Sequence, residues 1–152
     1  MSNTENFNSI YKKSKIAVIG LGYVGLPLAL EFAKKKQVIG FDINNQRIKE
    51  LKKSDDRSLE STFEEINSAK NLKFTSNKSD LKDCKIFIVT VPTPIDNKNR
   101  PDLNYLIQSC NMIGDILKIN DLVIYESTVY PGLTEEICVP ILEKVSGLVF
   151  NK

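Results

Sequence analysis

Three short stretches combine residue types at spacings that chemistry can use: Gly20–Gly25 (GLGYVG), Thr90–Pro94 (TVPTP) and Ser127–Gly132 (STVYPG). The first is the most explicit. It follows a short apolar run, Ile16 to Ile19, and precedes an apolar segment of helical character; a second apolar run then stops at Asp42. Gly20 permits a tight turn, Gly22 lets backbone N–H groups approach a pyrophosphate, and Gly25 lets helix and strand pack closely. The helix N-terminus adds free N–H groups and the positive end of its dipole. Asp42 lies 22 positions after Gly20, near the offset of the acid that holds a ribose hydroxyl in dinucleotide sites. Its carboxylate would repel a 2′-phosphate and no Arg follows it directly, so the pattern favours NAD over NADP. The plainer reading of Asp42 is a cap for the loop after the second strand, which the glycine turn disfavours.

Whole-chain properties narrow what this chemistry can be. The 152 residues suffice for one domain with a proper core and are too few for two of ordinary size. A net charge of +2 with interspersed signs argues against a nucleic-acid footprint. No apolar run reaches membrane-spanning length and the first residues hold no apolar signal core, so a soluble cytoplasmic protein without a membrane partner is expected. Cys84, Cys110 and Cys138 are widely spaced, form no CxxC pair, and have no histidine to complete a metal set. No metal is expected. The lack of histidine also removes the commonest general base and any Ser–His or Cys–His pair. Cys110 falls on the apolar face of a predicted helix and reads as a small buried hydrophobe.

The elements that must position these residues follow from pattern. Residues 1–14 read as a frayed, disordered tail and 15–152 as one folded domain. Strands are predicted at Lys15–Ile19, Gln37–Asp42, Leu72–Thr75, Lys85–Val91 and Leu122–Glu126. The fourth, KIFIVTV, is continuously apolar and β-branched, as a parallel strand covered on both faces should be. Helices are expected from about Tyr23 to Lys35, with Pro27 near the first turn, and over Gln46–Lys53 behind a cap at Asn44 or Asn45. Ser61 followed by Glu64 resembles a capping box for a helix reaching Ala69. Asp80–Asp83 reads as a single turn and Ile95–Pro101 as a polar loop. Asp102 caps an amphipathic helix in which Leu103, Leu106, Ile107, Cys110, Ile113 and Leu117 recur at helical spacing. A helix from Thr134 is interrupted by Pro140, which should kink or split it, and ends at Ser146-Gly147. Leu148–Phe150 reads as the start of a further strand.

Strands alternating with helices imply an α/β chain: a Rossmann-like, doubly wound parallel sheet. Right-handed crossovers bring the ends of strands one, four and five to one edge, where ligands bind beyond the carboxyl ends of the strands. The glycine turn, Thr90–Pro94 and Ser127–Gly132 meet at that crevice.

Lys15–Pro27, Gly40–Arg47, Val89–Pro94, Pro101–Leu103 and Tyr125–Gly132 together resemble the N-terminal domain of the UDP-glucose/GDP-mannose dehydrogenase family, the nucleotide-sugar 6-dehydrogenases. Thr134–Leu148 is most similar to the bacterial branch acting on UDP-N-acetylhexosamines for capsule, Vi-type or O-antigen polysaccharides. The resemblance implies that backbone N–H groups across Gly20, Leu21, Gly22, Tyr23, Val24 and Gly25 hold the NAD pyrophosphate. It implies that Asp42 accepts the adenosine-ribose hydroxyls, with Arg47 beside the same ribose or the adenine. Thr90, Val91, Pro92 and Thr93 would line the wall next to the cofactor. Ser127 and Thr128 would sit near the nicotinamide, the Thr128 hydroxyl orienting a catalytic water.

Plainer readings stand beside these roles. Arg47 also fits a solvated helix face, Thr90 a satisfied core hydroxyl, Pro92–Pro94 a strand terminator and Thr128 a turn residue. Tyr23 and Tyr130 read as packing or rim residues.

Members of the family oxidise a primary alcohol twice through a cysteine thiohemiacetal, and the resemblance puts that cysteine and its helpers beyond Lys152. None of the three cysteines here takes the nucleophile's place. The chain is therefore expected to be the NAD-binding part of a longer enzyme, inactive alone. The resemblance implies a UDP-sugar substrate and a homodimer or higher assembly for that enzyme. Two other readings share the glycine turn: a nucleotide-sensing regulatory Rossmann module and a 3-hydroxy-acid-type NAD dehydrogenase domain.

Overall fold

The computed structural model describes residues 12, 14–95 and 100–152. The expected tail lies outside the described residues except for Lys12 and Ser14, and Ser14 is buried. The interior of the expected 95–101 loop, residues 96–99, also lies outside them, while Ile95 and Pro101 pair in an antiparallel bridge.

Five parallel strands form the sheet: β1 (Lys15–Ile19), β2 (Val38–Phe41), β3 (Leu72–Thr75), β4 (Cys84–Val89) and β5 (Leu122–Tyr125). Their spatial order is β3-β2-β1-β4-β5. Strands are added toward one edge from β1 to β3 and toward the other from β4 to β5, so the winding reverses between β1 and β4 and creates the switch-point crevice. Among the described residues, helical segments connect and cover the strands. They are α1 (Gly25–Ala33), α2 (Asn45–Leu51), α3 (Phe63–Ser68), a 3₁₀ turn at Lys78–Leu81, α4 (Asn104–Gly114) and α5 (Val139–Ser146) behind a π-type turn at Thr134–Cys138.

The period of two along β1 divides the core. Ile16 and Val18 face one way and pack with Leu26, Ala29 and Leu30 of α1, Ile48 and Leu51 of α2, and Ile66 of α3. Ala17 and Ile19 face the other way, with Phe87 and Val89 of β4, against Leu106, Cys110 and Ile113 of α4 and Leu142 of α5. Burying a leucine as fully as Leu26 or Leu106 stabilises the fold by about 1.5–3 kcal/mol. This two-sided covering is why the strands carry so few polar residues.

Several boundaries differ from expectation for local reasons. The capping box is one residue later: Thr62 accepts from the Glu65 N–H and Glu65 reaches back to the Thr62 N–H, which turns Ile66 inward. The N-cap of α4 is Leu103, while Asp102 Oδ1 accepts from the Asn104 N–H at 2.9 Å. Pro140 splits its helix as anticipated. It has no N–H to offer Glu136, and the π-type turn precedes it. Gly147, at φ 73°, ends α5 in the left-handed cap. Leu148–Phe150 forms no strand; Val149 and Phe150 are exposed and Phe150 N–H bonds Glu143 Oε1 instead.

Candidate cofactor site

The carboxyl ends of β1, β2, β4 and β5 are level. Gly20 N–H donates to Phe41 O at 2.8 Å, Thr90 N–H to Ile19 O at 2.9 Å, and Glu126 N–H to Val89 O at 2.9 Å. Above them lies a cavity of about 750 Å³, within the usual size of small-molecule sites, roughly 300–1,000 Å³. Its wall contains Gly20–Val24, Asp42, Thr90–Thr93, Ser127 and Thr128. The three sequence stretches therefore converge as expected.

The glycine turn is built by two different constraints. Gly20 sits at φ 95°, a left-handed conformation that L side chains rarely adopt. At Gly25 a Cβ would lie 1.8 Å from Gly20 O and 2.5 Å from Thr90 Oγ1. Gly22 obeys neither constraint: its φ is not positive and a Cβ there would meet nothing within 4 Å. Glycine at 22 leaves room toward the cavity rather than room for the fold. The backbone N–H groups of Gly22, Tyr23, Val24 and Gly25 have no acceptor among the described residues, and Val24 caps α1 without a side-chain hydrogen bond. Unpaired donors at the positive end of a helix dipole suit an anion.

Asp42 caps the loop after β2 and also faces the cavity. Its Oδ1 accepts from Asn44 N–H at 2.8 Å, holding the loop, and its Oδ2 accepts from Leu21 N–H at 2.9 Å. A carboxylate oxygen can accept two bonds, so both retain capacity toward the cavity. Arg47 departs from the solvated-face reading. It is neither solvated nor on the cavity wall, but buried beneath the turn with 6% exposure. Its Nε donates to Leu21 O at 2.9 Å, and Nη2 pairs with Asp56 Oδ1 at 2.7 Å. Asp42 and Arg47 thus grip the two ends of one residue, Leu21.

Thr90 is buried, and its hydroxyl donates to Gly20 O at 2.7 Å, with Ile19 O at 3.1 Å. It steadies the turn from behind, the core-hydroxyl reading. Two hydroxyls tie the loops after β4 and β5: Ser127 Oγ donates to Val91 O at 2.7 Å, and Thr93 Oγ1 to Thr128 O at 2.6 Å. The Thr128 hydroxyl is exposed and makes no hydrogen bond among the described residues. Tyr23 is an exposed residue of the cavity wall, and Tyr130 is exposed outside it.

Several wall residues escaped the sequence reading. Tyr105, Gln108, Ser109 and Met112 line the cavity from α4, and Ile43, Asn44 and Glu126 complete it. The four helix residues recur at i, i+3, i+4 and i+7, a second stripe beside the apolar one. That spacing was the available signal.

No cysteine lines the cavity. All three are buried free thiols, and burial pushes Cys84 up to about 11. Cys110 Sγ lies 3.0 Å from the Tyr125 hydroxyl. Burial, with Cys110 beside it, pushes the Tyr125 phenol well above its usual range, so that group stays neutral. Among the described residues no cluster of three or more metal-ligating groups exists, and no helix is long and apolar enough to cross a membrane.

Unpaired N–H groups, an acid with spare acceptor capacity and a glycine kept open toward a large cavity fit a dinucleotide. Comparison with known proteins agrees. Residues 14–151 match the family described as "UDP-glucose/GDP-mannose dehydrogenase family, NAD binding domain". The chain is 59% identical over 141 residues to a UDP-N-acetyl-D-glucosamine 6-dehydrogenase of Pseudomonas aeruginosa, spanning 93% of this chain and 33% of that protein. It is 54% identical to the protein CapL of Staphylococcus aureus, over 90% of this chain and 32% of that one. The solved NDP-N-acetyl-D-galactosaminuronic acid dehydrogenase of Methanosarcina mazei superposes with TM-score 0.84 at 30% identity, over 99% of this chain and 35% of that one. The chain thus spans about a third of the length of the curated relatives it matches. Neither the regulatory-module reading nor the 3-hydroxy-acid reading accounts for this match. The chain belongs to the UDP-glucose/GDP-mannose dehydrogenase family, of which it is an NAD-binding domain.

Proposed function

We propose that this chain is the oxidant-holding part of a nucleotide-sugar 6-dehydrogenase that converts the CH₂OH of a UDP-N-acetylglucosamine-type sugar to a carboxylate for polysaccharide biosynthesis. The observation that carries the reading is the convergence of the glycine turn, Thr90–Thr93 and Ser127–Thr128 on one cavity. Bound NAD⁺ supplies the electron acceptor for oxidation of the alcohol carbon. The chain's own residues bind and orient. Free N–H groups at Gly22–Gly25 neutralise the pyrophosphate, and Asp42 accepts from the adenosine-ribose hydroxyls through its spare lone pairs. Arg47 acts from beneath the turn, by fixing the Leu21 carbonyl. Thr90 to Thr93 form the wall, held to the β5 loop by the Thr93 and Ser127 hydroxyls. With its hydroxyl free, Thr128 orients a water at the nicotinamide end.

The buried thiols take no part in thiohemiacetal chemistry, so the nucleophile belongs to another part of the enzyme. A cytoplasmic homodimer or larger assembly of the whole enzyme completes the reading. The test is incubation of the chain with NAD⁺ and UDP-N-acetylglucosamine, followed by NADH absorbance and by calorimetry for cofactor binding. Binding without NADH is expected. NADH production by the chain alone would contradict the division of labour.

A further inference from the structure

Among the described residues, the charged members of the cavity wall are both acids: Asp42 after β2 and Glu126 after β5. Asp42 is engaged by its own loop, accepting from the Asn44 and Leu21 N–H groups. Glu126 differs. Its backbone is fixed, with the N–H donating to Val89 O at 2.9 Å, yet the residue is exposed. Its carboxylate makes no hydrogen bond or ion pair among the described residues. Next to it Ser127 turns its hydroxyl away to Val91 O, so nothing local neutralises the charge.

The switch point between β1 and β4 separates two mononucleotide halves. In the proposed function the adenosine half lies on the β2 side, at Asp42, which leaves the β4–β5 side for the nicotinamide half. The rest of that side is uncharged among the described residues, from Val91–Thr93 to Tyr105, Gln108 and Met112 of α4. Glu126 is thus the charge nearest the nicotinamide end. The nicotinamide ring carries a formal positive charge in NAD⁺ and none in NADH, while the adenosine and pyrophosphate are the same in both. A carboxylate beside the ring attracts only the oxidised form. Repulsion between Glu126 and the pyrophosphate acts on both forms alike and cancels in their affinity ratio.

We propose that Glu126 is a specificity-determining residue for the oxidation state of the cofactor: its unpartnered carboxylate at the nicotinamide end favours NAD⁺ over NADH. The inference rests on the NAD-binding reading above and deepens it. Such a bias loads the oxidant and eases departure of the reduced product.

Calorimetric titration of the chain, Glu126→Gln and Glu126→Lys with NAD⁺, NADH and ADP-ribose tests this, the last ligand lacking the nicotinamide. Glu126→Gln should lower the NAD⁺:NADH affinity ratio by about three- to tenfold, the weight of one partly screened charge. The NADH:ADP-ribose ratio should stay at the parent's value. Glu126→Lys should lower the NAD⁺:NADH ratio further. Raising the salt concentration should shrink the parent's ratio and leave that of Glu126→Gln unmoved. Glu126 is exposed and its structural bond comes from the backbone, so both variants should melt as the parent does. An NAD⁺:NADH ratio that either variant leaves at the parent's value, or an equal change for all three ligands, overturns the proposal. A parent that binds ADP-ribose as tightly as NAD⁺ and NADH overturns it too, while the adenosine-end reading survives. A parent that binds none of the three overturns both this inference and the reading beneath it.

Discussion

Gly22 and Gly25 stand three residues apart in one turn, yet alanine should have opposite consequences at the two positions. At 25 the new Cβ would meet Gly20 O at 1.8 Å, Thr90 Oγ1 at 2.5 Å and Gly20 C at 2.9 Å. The obstacle is mostly backbone, pinned by the Gly20–Phe41 hydrogen bond and by the Thr90 hydroxyl, so strand and helix must separate. Overpacking costs about 1–3 kcal/mol, and a backbone obstacle puts this change near the upper value. For a domain of this size, about 3 kcal/mol lowers Tm by roughly 6–12 °C. At 22 the Cβ meets nothing and φ is not positive. Alanine there restricts the unfolded chain and should add about 0.4–1 kcal/mol of stability. Its methyl, however, stands in the space beside the unpaired N–H groups, and NAD⁺ affinity should fall at least about tenfold, or 1.4 kcal/mol. Thermal melts and calorimetric titration of both variants read the two effects separately. A Gly22→Ala melt as depressed as that of Gly25→Ala, or parent-like NAD⁺ binding by Gly22→Ala, would refute the division between fold and ligand.

Burial pushes the Asp56 carboxyl up, but hydrogen bonds from Ser58 and Arg47 outweigh it and hold it below the usual carboxylate range. Its contribution is therefore present above the unfolded value, about pH 3.9, and lost as pH falls through the lower folded one. Denaturant melts should show the stability gap between the parent and Asp56→Asn narrowing below about pH 4; a constant gap into strong acid contradicts this. All three thiols are buried, so a thiol reagent should modify none rapidly in the folded chain and all three after unfolding. Rapid modification of the folded protein would show that α4 and the π-type turn do not cover Cys110 and Cys138. Gly147 has φ 73° and open space where a Cβ would be, so Gly147→Ala should cost only the left-handed penalty, about 1–2 kcal/mol. A melt unchanged from the parent would show that the cap geometry carries no energy.

How far the sequence speaks depends on whether a residue's partners are near it in the chain. β1 and β3 are read to the residue because KIAVI is a short, mostly apolar run and LKFT alternates apolar and polar residues, each bounded by polar or glycine positions. The Asn44 cap is likewise legible, since its acceptor serves N–H groups two and three residues on. STFEE contains two overlapping cap frames, and only the inward position of Ile66 selects Thr62 over Ser61. Arg47 shows the limit more sharply. Its role is set by Leu21 and by an Asp56 loop folded around a single carboxylate, and no periodicity announces either. Leu148–Phe150 fails for a related reason: apolar content suggests a strand, but pairing needs a neighbour, and the left-handed cap at Gly147 redirects the chain. The cavity's three walls were legible; the stripe of α4 that closes it was hidden beside a stronger apolar one.

In the proposed function, Gly20–Gly25 and Asp42 form the pyrophosphate and ribose ends of an NAD site. Calorimetric titration of the chain with NAD⁺, beside Asp42→Ala, tests it most directly. A saturable one-to-one heat, weakened at least about tenfold in the variant, is the predicted result. No heat with the parent, or identical isotherms for parent and Asp42→Ala, would contradict it.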